Sequence, residues 1–272
     1  MALICLPQVP VFLYGIFVDS VPIFNSRKRS YIILMSFVQV LSLFALVSVV
    51  KVDSDPRAMV GLLTLSSFAY GVVDTVVDGL WVTQVRCDAK YGSNDLLAYS
   101  WIWLSIGGIS SSGAYALFGH YGLYWAVYLI PLLASLLLMV SAFFISKDVD
   151  GDAQLILDMD LKTRFKFTIK SIKQGLKQKQ LQRILIFYLI LALMTPNFED
   201  FIDYYLNFGP MKDSFKDSIV FVGILIATVL YELKFTDSRI RNLIFVAILT
   251  KIINCLLFLL LSLGIQFGLT KY

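Results

Sequence analysis

The chain has 272 residues, of which 58% are hydrophobic and only 15% are charged, and its mean hydropathy is +0.77. Soluble proteins contain about 45–50% hydrophobic residues, even with glycine counted among them, and about 25% charged residues. A water-soluble globule cannot bury so much apolar surface. The composition therefore excludes a soluble enzyme and a nucleic-acid-binding protein, and it predicts a membrane protein. The net charge of +4 then reflects where the basic residues lie relative to the membrane.

The residues that bind metals or cofactors are scarce and scattered. Cys5, Cys87 and Cys255 lie far apart, without a C-x-x-C pair, and His120 is the single histidine. Zinc sites, iron–sulfur sites and disulfide frameworks need several such ligands at close spacing. The sequence therefore predicts no metal and no cofactor. His120 is expected to be a turn residue between two apolar runs.

Eight apolar segments are candidates for crossing a bilayer, which needs about 20 apolar residues per helix. A long run without acidic or basic residues, 99–146, exceeds one span, and Gly119 to Gly122 divide it into two helices. The sixth and seventh segments are short. The predicted spans are 1–18, 30–50, 59–82, the two halves of 99–146, 184–198, 218–231 and 242–266. The expected fold is an all-α, polytopic membrane protein with about eight transmembrane helices.

The basic residues fall mainly on one side of this arrangement. Seventeen of the 23 lie in the loops after the first, third, fifth and seventh spans, five lie on the opposite side and one, Lys251, lies within a span. Cytoplasmic loops carry the excess of lysine and arginine in membrane proteins. These four loops are therefore predicted to be cytoplasmic, and we call their side of the membrane the inner side.

One long polar connector divides the chain into three parts. Its first half is acidic and its second half, 162–183, is basic with interleaved apolar residues. This pattern is typical of a helix that lies on the inner membrane surface, and a solvated linker helix remains an equal alternative. The predicted division is 1–146, an N-terminal block of five spans; 147–183, a cytoplasmic linker; and 184–272, a C-terminal block of three spans.

Charges inside the predicted spans need an explanation, because each costs about 2.5–3.5 kcal/mol at mid-helix. Asp74 and Asp78 are four residues apart and therefore share one helical face. They are predicted to line a substrate or proton pathway, or else to form a structural salt bridge with Arg86 or with the basic residues 27–29. Lys251 falls near mid-bilayer. It is either a counter-charge for an anionic substrate, or it snorkels to the interface or pairs with an acid on a neighbouring helix.

The fourth span contains a run of small residues, from Ser105 to Gly113, so that one face of this helix carries only small side chains. Such surfaces usually allow close packing of helices. The alternative interpretation is that the small residues line a cavity.

The loop between the first two spans carries a specific motif. Gly15 is followed by Asp19 and Pro22, and the three basic residues Arg27, Lys28 and Arg29 close the loop. This pattern resembles the loop between the second and third helices of major facilitator transporters. The form Asp-Ser-x-Pro-Ile-Phe is similar to that of the folate–biopterin transporter family.

A second pattern supports the same resemblance. Asp74 and Asp78, followed by Arg86, are similar to the fourth helix of that family. The family pattern has Glu-Arg where this chain has Thr83 and Gln84, and it has Lys-Pro near positions 11 and 12, where this chain has Val-Phe.

The resemblance implies a major-facilitator-type helical bundle in which these spans are the second to the ninth of twelve, so that the chain is incomplete. It implies transport of folate or a related pterin by alternating access, with a proton as the coupling ion. On this basis Asp74 is expected to alternate between protonated and charged forms. Asp19 is expected to pair with Arg86 as a latch that holds one of the two access states.

Two rival functions follow from the same sequence. The first is a truncated, transport-inactive family member that acts as an interaction partner. The second, an intramembrane enzyme, would have only Asp74 and Asp78 as a catalytic pair, so the chain is predicted not to be an enzyme. The expected partners are a folate or pterin, a proton and the lipid bilayer, without nucleic acid. The plasma membrane is favoured, although plastid and vacuole membranes also fit the charge distribution.

Overall fold

The structure, a computed structural model, describes residues 4, 6–23, 26, 28–48, 56–85, 92–145, 160–194, 210–235 and 240–262. Helices make up nearly all of these residues, and no strand occurs among them beyond one isolated bridge. The predicted all-α fold class is confirmed. The α-helices are α1 Val11–Ser20, α2 Arg29–Ser48, α3 Pro56–Val85, α4 Gly92–His120, α5 Tyr124–Val127, α6 Leu129–Ala142, α7 Leu161–Leu176, α8 Lys179–Met194, α9 Pro210–Leu230 and α10 Ile240–Ser262.

The first predicted span is wrong as a single helix. The described part of this segment is helical at Ile4, has a 3-10 turn at Leu6–Gln8, and continues as an α-helix from Val11. Pro7 and Pro10 explain the difference, because proline lacks a backbone N–H and disfavours the helical conformation in the residue before it. The hydroxyl of Tyr14 donates a hydrogen bond of 2.6 Å to the carbonyl oxygen of Pro7 and so holds the turn against the helix.

Helices α2, α3 and α6 form the packed centre of the N-terminal helices. Beta-branched residues of α3 meet α1 and α2 in one cluster of buried side chains, and leucines of α2 and α6 form a second cluster nearby. The first cluster contains Val18, Tyr31, Ile32, Val72, Val73, Val76 and Ala142, and the second contains Leu43, Leu46 and Leu132. Both clusters lie between helices predicted to cross the membrane, so they hold the spans together.

The predicted division of the long uncharged run is confirmed. Helix α4 ends at His120, and Gly122 adopts a φ of 70° before the next helix begins. Glycine accepts positive φ without the steric cost that a side chain brings. The described part of the run, 99–145, therefore forms two helical segments joined by a tight turn, and the second segment has a short break at Tyr128, between α5 and α6.

Three described helices are long and apolar enough to cross a membrane by length and composition: Arg29–Ser48, Pro56–Val85 and Trp125–Ala142. Val11–Ser20 and Ile244–Ile253 are shorter apolar helices. Apolar side chains also cover the outside of α8, where Tyr188 and Leu189 are more than 60% exposed. Such surfaces suit lipid and not water, which agrees with an integral membrane protein. The remaining predicted spans stay predictions, as do the count of eight and the three-part division.

The C-terminal helices reach the N-terminal ones mainly through α9. This helix packs lengthwise against α4, in the most extensive contact between any two described elements. It continues into a π-helical turn at Tyr231–Phe235. Helix α7 of the polar connector lies against α1.

Candidate functional site

The two intramembrane acids lie side by side on α3. Asp74 and Asp78 are both exposed, together with Tyr70 one turn before them, whereas Val72 and Val76 are buried on the opposite side of the helix. No ion pair of either acid occurs within the described ranges. The described parts of the neighbouring helices therefore leave this face of α3 uncovered, and the two carboxyl groups point away from the packed core.

The acids also lie deeper in their helix than the sequence suggests. The span was predicted to end at Val82, but α3 continues to Val85. At about 1.5 Å per residue, Asp74 is about 16 Å and Asp78 about 10 Å from that end. A charge at such depth needs polar surroundings in the assembled membrane protein.

The loop after α1 is a compact turn that is fixed to the start of α2. Ile23 and Ser26 exchange backbone hydrogen bonds of 3.2 and 3.0 Å. The hydroxyl of Tyr31, which is 1% exposed, donates a hydrogen bond of 2.8 Å to the carbonyl oxygen of Val21. Phe17 packs edge-on against the same ring. The compact geometry of the loop therefore comes from hydrogen bonds within the motif and not from chain length alone.

The motif residues before this turn lie on α1. Gly15 faces α3, where an added Cβ would be 3.5 Å from the Thr75 methyl group, an ordinary van der Waals contact. Asp19 is exposed near the end of α1, and Pro22 is half-buried in the loop. Arg27 and Arg86 lie outside the described residues, so the predicted pair between Asp19 and Arg86 stays a prediction.

Lys28 makes the observed connection between the motif and α3. Its Nζ donates hydrogen bonds of 2.8 Å to Thr83 Oγ1 and 3.2 Å to the carbonyl oxygen of Gly79. The Thr83 hydroxyl in turn donates to the same carbonyl at 3.0 Å. Sequence reasoning noted Thr83 only as a departure from a family pattern. A hydroxyl in place of an acid, within reach of a basic cluster, was the signal that it accepts a hydrogen bond from that cluster.

The small-residue run of α4 provides a packing surface. Gly108 is buried directly under the ring of Phe221 on α9, and the hydroxyl oxygens of Ser112 and Ser218 are 2.8 Å apart. Gly107 and Gly113 have no atom within 4 Å of an added Cβ. The packing interpretation therefore holds for one side of the run. Phe221 was not identified from the sequence, because a single phenylalanine among 21 gives no local signal of its partner.

Lys251 lies apart from these groups. It is exposed near the middle of α10, and no ion pair involving it is found among the residues that the structure describes. Arg29, at the start of α2, is half-buried. The structure thus places Asp74 with Asp78 on one face and links Lys28 to α3, but it does not bring Lys251 into contact with the acids.

Helix α7 of the polar connector touches the end of α1, next to the loop that carries the motif. Ser20, fully buried at the end of α1, donates a weak hydrogen bond of 3.5 Å to Thr168 Oγ1 in the middle of α7. The described residues contain no group of three or more potential metal ligands. The end of α1, the loop that follows it, the end of α3 and helix α7 therefore form one connected region.

A family model described as the BT1 family matches residues 1–269 of this chain. Among curated proteins, the chain is 31% identical over 111 residues to the "Probable folate-biopterin transporter 4" of Arabidopsis thaliana. That alignment covers 39% of this chain and 22% of the relative, so the chain spans about a fifth of the length of the curated relative that it matches. No solved structure matches the chain.

Proposed function

The chain belongs to the folate–biopterin transporter family, and on that premise we propose that it carries folate- or biopterin-type pteridines across a membrane by alternating access. The family that the motifs around Asp19 and Asp74 predicted is confirmed by the match over residues 1–269. Its members are transport proteins and not enzymes, so the chain is a member of a transporter family, as predicted. The substrate, the coupling to protons and the major-facilitator-type arrangement are part of the proposal.

The observation that carries the proposal is the uncovered acidic face of α3. Asp74 and Asp78 are exposed on a helix that is long and apolar enough to span a membrane. If this face met lipid, each charge would cost about 2.5–3.5 kcal/mol. A polar pathway along the face removes that cost, because water or a polar substrate then solvates both carboxyl groups.

We assign different roles to the charged residues. Asp74, the deeper acid, is the proton acceptor that alternates between protonated and charged forms as the pathway opens to either side. Asp78, nearer the helix end, contacts the substrate or completes a salt bridge with the basic residues of the inner side. Lys251 provides a counter-charge for an anionic substrate.

Uptake of labelled folate and labelled biopterin into vesicles that contain the purified chain tests this proposal. We expect uptake that depends on pH, and we expect Asp74→Asn to remove the pH dependence because an amide cannot take up the proton. Asp95→Asn is the matched control, since Asp95 is an exposed acid in the first turn of α4. It should leave the pH profile unchanged.

Two results would contradict the proposal at different levels. Full pH dependence in Asp74→Asn would remove the proton role of that residue and leave transport intact. An absence of pteridine uptake by correctly inserted protein would exclude the transport function itself and favour the interaction-partner alternative.

The region around Asp19 and Lys28 is proposed as the latch between access states. Lys28 already ties the loop to α3 through Thr83. Pairing of Asp19 with Arg86 would close the same end of the helices with a charge pair, which is a common device for holding one access state. Asp19→Asn should therefore shift the balance of states, and labelling of single cysteines on the inner side measures it. Unchanged labelling rates would count against the latch.

The plasma membrane is our proposed location. Biotinylation of intact cells with an impermeant reagent tests it, and recovery of the protein only in internal membrane fractions would overturn it.

A further inference from the structure

Five lysines of the polar connector lie on one side of α7 and of the residue after it. A helix turns by about 100° per residue, and the spacing of these lysines places all of them within an arc of about 80°. Helix α7 contains no acidic residue, and these lysines form no ion pair with the residues that the structure describes. We call them the lysine stripe: Lys162, Lys166, Lys170, Lys173 and Lys177.

An exposed apolar strip runs beside the lysine stripe. The adjacent arc of the helix holds the apolar residues Leu161, Phe165, Ile169, Ile172 and Leu176. Leu161, Ile169 and Leu176 are 50%, 54% and 46% exposed, whereas Phe165 and Ile172 are half-buried. Apolar side chains are rarely left side by side on a surface that faces only water. Lysines that flank an apolar strip are typical of helices that lie in a membrane interface, where the apolar side enters the acyl chains and the ammonium groups reach the head groups.

A third side of α7, next to the apolar strip, is held by the protein. Arg164, Thr168 and Gly175 are half-buried in an arc that faces α1, and Phe165 and Ile172 of the apolar strip are half-buried beside it. Thr168 accepts the hydrogen bond from Ser20 at the end of α1. This attachment fixes α7 at the end of α1 and leaves the lysine stripe and the side chains of Leu161, Ile169 and Leu176 exposed.

We propose that α7 is a binding element for anionic lipid, in which the apolar strip inserts into the inner leaflet and the lysine stripe binds negatively charged head groups. Anionic lipid is the ligand that complements this surface in charge, because five uncompensated positive charges border an apolar surface next to the membrane. The proposal is independent of the transported substrate, and it rests on no residue of the proposed pathway.

Hydrogen exchange of the whole protein in lipid nanodiscs tests the proposal. The amides of 161–176 are compared in phosphatidylcholine and in phosphatidylcholine with phosphatidylserine. We expect slower exchange only when phosphatidylserine is present, and we expect high salt to reverse it because salt screens exposed charges. Each lysine near an anionic surface contributes a factor of about five, which is about 1 kcal/mol. The variant Lys166→Gln/Lys170→Gln/Lys173→Gln should therefore weaken the docking equilibrium about a hundredfold.

A rearranged variant of identical composition separates the stripe from net charge. It exchanges Lys170 with Ser171 and Lys173 with Gln174, which moves two lysines by about 100° out of the stripe. We expect docking to weaken by about thirtyfold although the net charge is unchanged. Unaltered exchange in α3 shows that either variant is folded. The comparison of the two lipid compositions is made on the unchanged protein and does not depend on either variant.

Each other outcome overturns the proposal. Equal protection in phosphatidylcholine alone would mean that α7 is held by the protein or is simply solvated. Salt-sensitive protection in phosphatidylcholine would mean that the acidic half of the connector neutralises the stripe. Protection by dissolved inorganic phosphate would indicate a soluble anion, and full docking of the rearranged variant would indicate general charge attraction.

Discussion

Replacing Gly108 by alanine should weaken the packing of α4 against α9. The new methyl group would fall inside the ring of Phe221, so the ring must move or the two helices must separate. Overpacking of this kind costs about 1–3 kcal/mol. The gain in helix propensity from glycine to alanine, about 0.5–1 kcal/mol, hides part of that cost.

Gly107→Ala is the control that isolates the packing cost. It brings the same gain in propensity in the same helix, but its Cβ would have no neighbour within 4 Å. The difference between the two variants should therefore be about 1–3 kcal/mol in the free energy of separating α4 from α9. In a Phe221→Ala background the steric conflict is absent, so adding Gly108→Ala should cause no further loss relative to Phe221→Ala alone.

Disulfide formation between the two helices provides the assay. Ser112→Cys and Ser218→Cys place two thiols where the serine oxygens are 2.8 Å apart, close enough for a disulfide to form. Cys5, Cys87 and Cys255 are first replaced by serine. The fraction that cross-links is then measured along a titration with sodium dodecyl sulfate, and the midpoint gives the free energy. Equal midpoints for the two alanine variants would refute the close packing.

Two further predictions concern the loop after α1. Lys28→Met keeps the length of the side chain but loses the two hydrogen bonds to α3. Because hydrogen bonds to charged groups contribute about 1.5–3 kcal/mol, amide exchange at the end of α3 should rise about tenfold or more. Thr64→Val, which removes only a hydrogen bond within α3, should leave exchange at that end unchanged, and an equal effect would contradict the assignment. Tyr31→Phe leaves the carbonyl of Val21 without its donor and should lower the thermal stability by about 1 kcal/mol, whereas the exposed Tyr99→Phe should not; equal melting temperatures would contradict the role of the hydroxyl.

The helices were predictable where hydropathy alone determines them. The second span was predicted as 30–50 and is observed as Arg29–Ser48, because an uncharged apolar run in lipid has no alternative to a helix. The first span was not predictable in the same way. Its composition is apolar throughout, but Pro7 and Pro10 stop the hydrogen-bond pattern before Val11, and backbone geometry overrides hydropathy there.

The candidate site was predictable only in part, for a related reason. Asp74 and Asp78 were identified because the cost of an intramembrane charge can be read from a single chain segment. Thr83, Phe221 and Thr168 act through contacts with residues far away in the sequence. Such contacts depend on which helices pack together, and neither hydropathy nor local spacing encodes that choice.

The contacts across the sequence also bear on how often the chain crosses the membrane. Ser20 contacts Thr168, and Lys28 contacts Thr83. A hydrocarbon core of about 30 Å separates the two sides of a bilayer, so residues joined by a hydrogen bond lie on the same side. Between Thr83 and Thr168 the chain must therefore cross an even number of times.

The even number of crossings bears on whether α4 crosses the membrane. The segment Trp125–Ala142 is long and apolar enough to cross once. Helix α4 is less apolar, because serine and glycine dilute its apolar residues between Ser105 and Gly113. If α4 stayed outside the membrane, a single crossing would carry Thr168 to the side opposite Ser20 and the observed contact could not form. We therefore predict that helix α4 crosses as well, with Gly108 and Ser112 covered by α9 instead of by lipid.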